Sequence, residues 1–137
     1  MIVDASALLA ILLDEPDARQ FAVALAEADS PRIPAPNWVE VVMRLESMCA
    51  NDDQAFETAD RLLAHYTTNR LLLIEGFSSQ HAIVARQAFR QYGKGRHPAA
   101  LNFGDCIAYA VAKFEKLPLL FKGNDFSKTD IEPALKY

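Results

Sequence analysis

Met1-Ile2-Val3-Asp4-Ala5-Ser6-Ala7-Leu8-Leu9-Ala10-Ile11-Leu12-Leu13 opens the chain, and its reading decides the fold. Three apolar residues read as a buried strand that ends at Asp4. Ser6 stands where it can cap a short apolar helix from about Ala7 to Leu13. A strand that is apolar throughout and runs at once into a helix suits a parallel sheet, whose strands are covered on both faces. The pattern recurs along the chain. Pro16 and Asp17 open a helix with Phe21, Leu25 and Ala28 on one face, and Arg32-Ile33-Pro34 follows as a short strand. Trp38, Val41, Val42, Leu45, Met48 and Cys49 repeat at helical spacing. Asn51-Asp52-Asp53 breaks that stripe. Phe56, Ala59, Leu62, Leu63 and Tyr66 form another, with no evident place in a simple strand–helix repeat. Leu71 to Ile74 is an apolar run of strand length. Ser78 to Tyr92 reads as a helix with Ala82, Ala85, Phe89 and Tyr92 in register. Gly93 to Leu101 is a loop. Phe103 to Lys116 is a helix with Ile107, Ala110, Val111 and Phe114 inward. Leu119-Leu120-Phe121 is the last buried strand, Lys122 to Asp130 a loop, and Ile131 the start of a short edge strand. The expected class is α/β, three layers around a mainly parallel sheet, with residues 1–137 as one domain.

Composition bounds the function. The chain has 137 residues, 51% hydrophobic and 23% charged, a globular balance. Fourteen Lys and Arg against eighteen Asp and Glu give a net charge of −4. That disfavours nucleic-acid binding through a basic surface. If four acids hold two divalent cations the site itself is neutral, so the charge does not exclude nucleic acid. Cys49 and Cys106 fall among apolar residues and read as reduced core thiols, which fits the cytoplasm. The run Ala7 to Leu13 is too short to span a membrane, and no basic segment precedes it.

Four acids mark the chemistry: Asp4, Glu40, Asp105 and Asp125. In a parallel α/β sheet, helix starts and strand ends share one edge, and ligands bind along it. Taken singly, each acid has a local explanation. Asp4 suits a turn, Glu40 a capping box with Asn37, Asp105 a cap-like spacing after Asn102, and Asp125 a Gly-Asn-Asp turn. Jointly they fall at one edge and would repel. A like-charge pair at about 4 Å costs roughly 4 kcal/mol at an effective dielectric of about 20. A divalent cation relieves that cost, and carboxylate oxygens suit Mg²⁺ or Mn²⁺. His65, His81 and His97 are scattered and offer no zinc spacing. Gly93-Lys94-Gly95 is too short for a P-loop.

The segment Gly93 to Asn102 is the second informative feature. Fully extended it spans roughly 30 Å, enough to run the length of the preceding helix and bring Arg96 and His97 toward the acids. Phosphate contact and a solvated basic turn are equally good readings of it. Lys122 and Lys128, on either side of Asp125, leave the same choice open.

Four stretches together resemble a known family: Ile2-Val3-Asp4-Ala5-Ser6-Ala7-Leu8; Asn37-Trp38-Val39-Glu40; Gly93-Lys94-Gly95-Arg96-His97-Pro98 running into Leu101-Asn102-Phe103-Gly104-Asp105-Cys106; and Leu119-Leu120-Phe121-Lys122-Gly123-Asn124-Asp125-Phe126. They look like the VapC-type toxins of the PIN-domain ribonuclease family, in order and over essentially the whole chain. The resemblance implies a compact α/β/α fold and Mg²⁺- or Mn²⁺-dependent endoribonuclease activity. It also implies an RNA substrate, inhibition by a VapB-type antitoxin and a homodimer. Asp4, Glu40, Asp105 and Asp125 match the family's acidic positions, and Ser6 a hydroxyl beside the first of them. Relatives often carry an acid where Asn124 stands, so the fourth position falls to Asn124 or Asp125, with Asp125 preferred. Ser6, Asn124, Arg96 and His97 are candidates for supporting the acids or touching RNA.

Two rival readings remain. A Mg²⁺-dependent phosphoacceptor receiver also clusters acids at a sheet edge, but it needs an Asp at the end of a central strand. Here Leu71 to Ile74 ends in Glu75-Gly76. A catalytically inactive PIN-like interaction module would have lost an acid, and all four are present.

Overall fold

The computed structural model describes residues 1–136. Four short strands form one sheet in the order β3-β2-β1-β4, every pairing parallel. They are β1 (Ile2–Val3), β2 (Arg32–Pro34), β3 (Leu73–Glu75) and β4 (Leu119–Leu120). Ile2 is in register with both Arg32 and Leu119, and Val3 with Leu120. Because side chains alternate across a strand, each strand feeds two cores. Val3, Ile33 and Leu120 pack on one face with α1 (Ala5–Leu12), α2 (Ala18–Glu27), α3 (Ala35–Met48) and α4 (Asp53–Thr68). Ile2, Leu119 and Phe121 pack on the other with α5 (Ser79–Tyr92) and α6 (Phe103–Glu115). The three-layer α/β/α expectation holds, with a sheet that is parallel throughout.

The helix with no evident place finds one. Ala59 and Leu63 of α4 are buried in the core that also takes Leu8 of α1 and Leu45 of α3. An α3–α4 hairpin thus covers one face without a strand between its helices. The expected edge strand after Ile131 reduces to one parallel bridge between Leu119 and Pro133. Leu119 N–H donates to Glu132 O at 2.9 Å and Ala134 N–H to Leu119 O at 2.8 Å.

Other details differ from the sequence reading. α3 starts at Ala35, with Pro36 in its first turn, a position that proline's fixed φ favours. Asn37 therefore lies inside the helix and caps nothing, and its capping box with Glu40 does not form. Phe89 and Phe114 are 43% and 47% exposed; the inward positions on α5 belong to His81, Ala88 and Tyr92. The segment after α5 does not extend. Lys94 N–H donates to Leu101 O at 3.0 Å and Leu101 N–H to Tyr92 O at 2.9 Å. The loop closes on itself, and α5 ends beside the start of α6, so there is no helix length to cross.

Candidate active site

Asp4 leaves the end of β1 as the N-cap of α1 and is 4% exposed. Its Oδ2 accepts from Ser6 N–H at 2.9 Å and from the Ser6 hydroxyl at 2.5 Å. Ser6 Oγ in turn accepts from Lys122 N–H at 3.0 Å. Ser6 does not cap the helix, as its sequence position suggested; Asp4 caps it, and Ser6 fixes Asp4 against the exit of β4. Asp105 sits in the first turn of α6. Its N–H donates to Asn102 Oδ1 at 3.0 Å and its Oδ2 accepts from Asn102 N–H at 2.9 Å, a reciprocal capping box. Glu40 projects from α3 toward the same place: a Cβ on Gly104 would fall 2.5 Å from Glu40 Oε2. Asp125 opens the single-turn 3₁₀ helix Phe126–Lys128.

All four acids line one cavity of about 290 Å³, together with Ser6, Glu15, Arg44, Asn102 and Lys122. Asn124 does not line it, so of the two neighbours Asp125 is the one turned toward the other acids. The acids sense one another. Burial pushes the Asp105 carboxyl up to about 6; the Asn102 N–H opposes this, and Asp4 and Asp125 add to it. Burial also raises Asp4, against the Ser6 hydrogen bonds and with a contribution from Glu40. Burial raises Glu40 too, with Arg44 pulling it down and Asp105 pushing it up.

Arg96 and His97 lie outside this cavity. The Arg96 guanidinium stands 5.7 Å from the centre of the Phe89 ring. The His97 ring stacks edge-on against Tyr92 at 5.1 Å, and its Nδ1 accepts from Ala99 N–H at 3.1 Å. Lys128 Nζ reaches Pro98 O at 3.2 Å, which pins the same loop. Lys122 lines the cavity, but its ammonium is engaged by Glu15 and by Asp17, the latter at 2.8 Å. Sequence reasoning missed Arg44, Glu15 and Asn102 as cavity residues. For Arg44 a signal existed, its position one helical turn after Glu40.

The donor chemistry fits a hard divalent cation, since the cavity lining offers carboxylates and a hydroxyl but no thiol or imidazole. Among the described residues no three His, Cys, Asp or Glu side chains stand close enough together to hold a metal ion. Asp4 and Asp105 each spend an oxygen on a helix start.

The PIN domain family model matches residues 1–132. The chain belongs to the PIN-domain family. Within it the chain groups with VapC proteins. It is 42% identical over 136 residues to Ribonuclease VapC28 of Mycobacterium tuberculosis, covering 98% of each. It is 43% identical over 133 residues to Ribonuclease VapC36 of the same species, covering 96% of this chain and 91% of that one. The fold is also that of the crystal structure of Mycobacterium tuberculosis VapC20, a sarcin-ricin loop cleaving toxin (TM-score 0.71, 13% identity, 95% of each chain). A toxin–antitoxin complex from Klebsiella pneumoniae is similar as well (TM-score 0.68, 18% identity, 94% of this chain and 92% of that one). In this PIN domain the cavity lies at the strand C-terminal edge, where β1 delivers Asp4 and β4 leads to Asp125. No helix among the described residues is long and apolar enough to cross a membrane.

Proposed function

We propose that this PIN domain is a Mg²⁺- or Mn²⁺-dependent endoribonuclease and the toxin of a VapBC-type pair. The observation that carries the reading is the convergence of Asp4, Glu40, Asp105 and Asp125 on one cavity. Asp4 and Asp105 would hold the cation, with Glu40 and Asp125 completing the set. When bound, the cation supplies positive charge against the phosphate and makes water a better nucleophile. The protein's part is to place the reactants. Ser6, held by Lys122 N–H, keeps Asp4 turned into the cavity. The capping box keeps Asp105 at the head of α6. Glu40, close enough to Asp105 to sense its charge, would complete the set or orient the attacking water. Incubating the protein with RNA in Mg²⁺, in Mn²⁺ and in EDTA tests the reading. Cleavage is expected only with the cations, and only when Asp4 is intact. Full cleavage in EDTA overturns the metal mechanism.

The same cluster of carboxylates explains how the toxin would be restrained. An antitoxin arginine entering the cavity would pair bidentately with the acids, so mutating that arginine, or adding excess Mg²⁺, should weaken inhibition. The apolar run Leu8 to Leu13, which by sequence could have received a partner helix, is buried in the chain's own core from Leu8 to Leu12, with Leu13 partly exposed. Exposed apolar groups do exist beside the cavity: Val39 at 48%, Met43 at 66% and Phe103 at 82%. A patch of this kind marks an interaction surface, and we assign it to a homodimer, measurable by light scattering. We infer a cytoplasmic location, where a cellular RNA target would be met.

A further inference from the structure

Asn37 is 1% exposed, more deeply buried than any of the four acids. It stands in the first turn of α3, three residues before Glu40. Its Nδ2 donates to Gly104 O at 3.0 Å, across the gap to the first turn of α6. Its Oδ1 is buried without a hydrogen-bond partner. A buried carbonyl left unsatisfied is destabilising, and an apolar side chain of the same size would avoid the loss. Stability alone therefore does not call for asparagine here. What the amide does accomplish is geometric. It ties the backbone next to Asp105 to the helix that carries Glu40. Gly104 completes the device, because a Cβ there would meet Glu40 Oε2 at 2.5 Å, Glu40 Cδ at 3.2 Å and Asn102 Oδ1 at 3.5 Å. The two helix starts are joined by one hydrogen bond, and the Glu40 carboxylate occupies space that a side chain at residue 104 would contest.

We propose that Asn37 is a positioning residue: its hydrogen bond to Gly104 O sets the separation of Glu40 and Asp105, and through it the shape of the carboxylate cluster. The proposal rests on the nuclease reading of that cluster. Groups that orient carboxylate ligands without touching the cation typically change metal affinity or activity 10- to 100-fold.

The test uses Asn37→Leu, which keeps the branched shape and removes the donor, Asn37→Ala, which removes the amide altogether, and Gly104→Ala, which leaves the Asn37 amide in place but crowds Glu40. Each is measured in three ways: Mn²⁺ binding by calorimetry, kcat and KM for RNA cleavage in Mg²⁺, and melting temperature in EDTA. Asn37→Leu is expected to melt at or above the wild-type temperature. Its Mn²⁺ affinity and kcat should both fall about 10-fold or more, with KM within about twofold. Gly104→Ala should show the same pattern, because only the flexible end of Glu40 must move to admit the methyl. A variant Asn37→Leu with wild-type Mn²⁺ affinity and kcat overturns the proposal, whatever its melting temperature. If Asn37→Leu does not fold, Asn37→Ala decides: weakened Mn²⁺ binding in a folded protein supports the proposal, and wild-type binding overturns it. A wild-type chain that neither binds Mn²⁺ nor cuts RNA overturns the nuclease reading and this proposal together. A competent wild type beside a fully competent Asn37→Leu overturns this proposal alone.

Discussion

Replacing Asp105 with asparagine should stabilise the metal-free protein near neutral pH and do nothing near pH 4. Burial holds the Asp105 carboxyl at about 6 instead of 3.8, with Asp4 and Asp125 adding to the rise. At 1.36 kcal/mol per pKa unit that displacement is worth roughly 3 kcal/mol. Asp105 is partly exposed, and solvent screening leaves about 1–2 kcal/mol of it. The sign follows from linkage. A carboxyl whose folded pKa is raised favours the fold when protonated, so its contribution is complete below pH 3.8 and is lost as pH rises through 6. Above that, the folded state carries an ionised carboxylate that is poorly solvated and faces two others. Asparagine stays neutral throughout, and its amide oxygen can still accept from Asn102 N–H, as Oδ2 does at 2.9 Å. For a chain of this size the gain at pH 7.5 corresponds to about 3–6 °C in melting temperature. Scanning calorimetry in EDTA from pH 4 to pH 8 measures it. An equal gain at both ends of that range, or a loss at pH 7.5, refutes the assignment of the penalty to Asp105. Adding Mg²⁺ at pH 7.5 should then raise the wild type more than the variant, because only the wild type keeps the full ligand set.

Three further outcomes are expected. Asp4→Asn should abolish RNA cleavage while keeping the far-ultraviolet circular dichroism of the wild type, since the amide oxygen can still accept from Ser6; wild-type cleavage by this variant would sink the metal-ligand role. Arg96→Ala should weaken RNA binding and flatten its salt dependence without changing Mn²⁺ affinity, because the guanidinium lies over Phe89 and outside the acid cavity; filter binding and calorimetry separate the two, and a collapse of metal affinity contradicts the placement. His81→Ala removes the acceptor of Ser78 N–H and the partner of Glu115 from a side chain 3% exposed. It should cost about 2–3 kcal/mol in urea unfolding, and a loss below about 1 kcal/mol would show that the site relaxes freely.

What the sequence disclosed, and what it hid, follows from the range of the forces involved. Ile2-Val3 and Leu119-Leu120 were legible because a strand buried on both faces must be apolar at every position. The acids were legible as a set because strand ends and helix starts share an edge, whatever the side chains do. Asn102 with Asp105 was legible as a local cap, and the capping box forms. Asn37 with Glu40 has the same spacing and forms none. The difference lies in Pro36 and in Gly104, one fixing an earlier helix start and the other offering a carbonyl from a distant helix. Local spacing cannot see the second. Arg96 and His97 were misplaced for a similar reason. An extended ten-residue loop was within reach, but closing Leu101 onto Tyr92 satisfied backbone groups that extension would have left to solvent.

The pairing of the first strand with the last has a consequence for synthesis. Asp4 N–H bonds to Leu120 O at 2.8 Å, and the hydroxyl that steadies Asp4 is held by Lys122. Asp125 comes later still. A nascent chain that has not yet reached these residues has neither the fourth strand nor the fourth acid, and its first aspartate is unsupported. Contacts so far apart in sequence also slow folding. If the proposed nuclease reading holds, chains cut short before these residues should not cleave RNA. The cavity is complete only once the residues through Asp125 are in place.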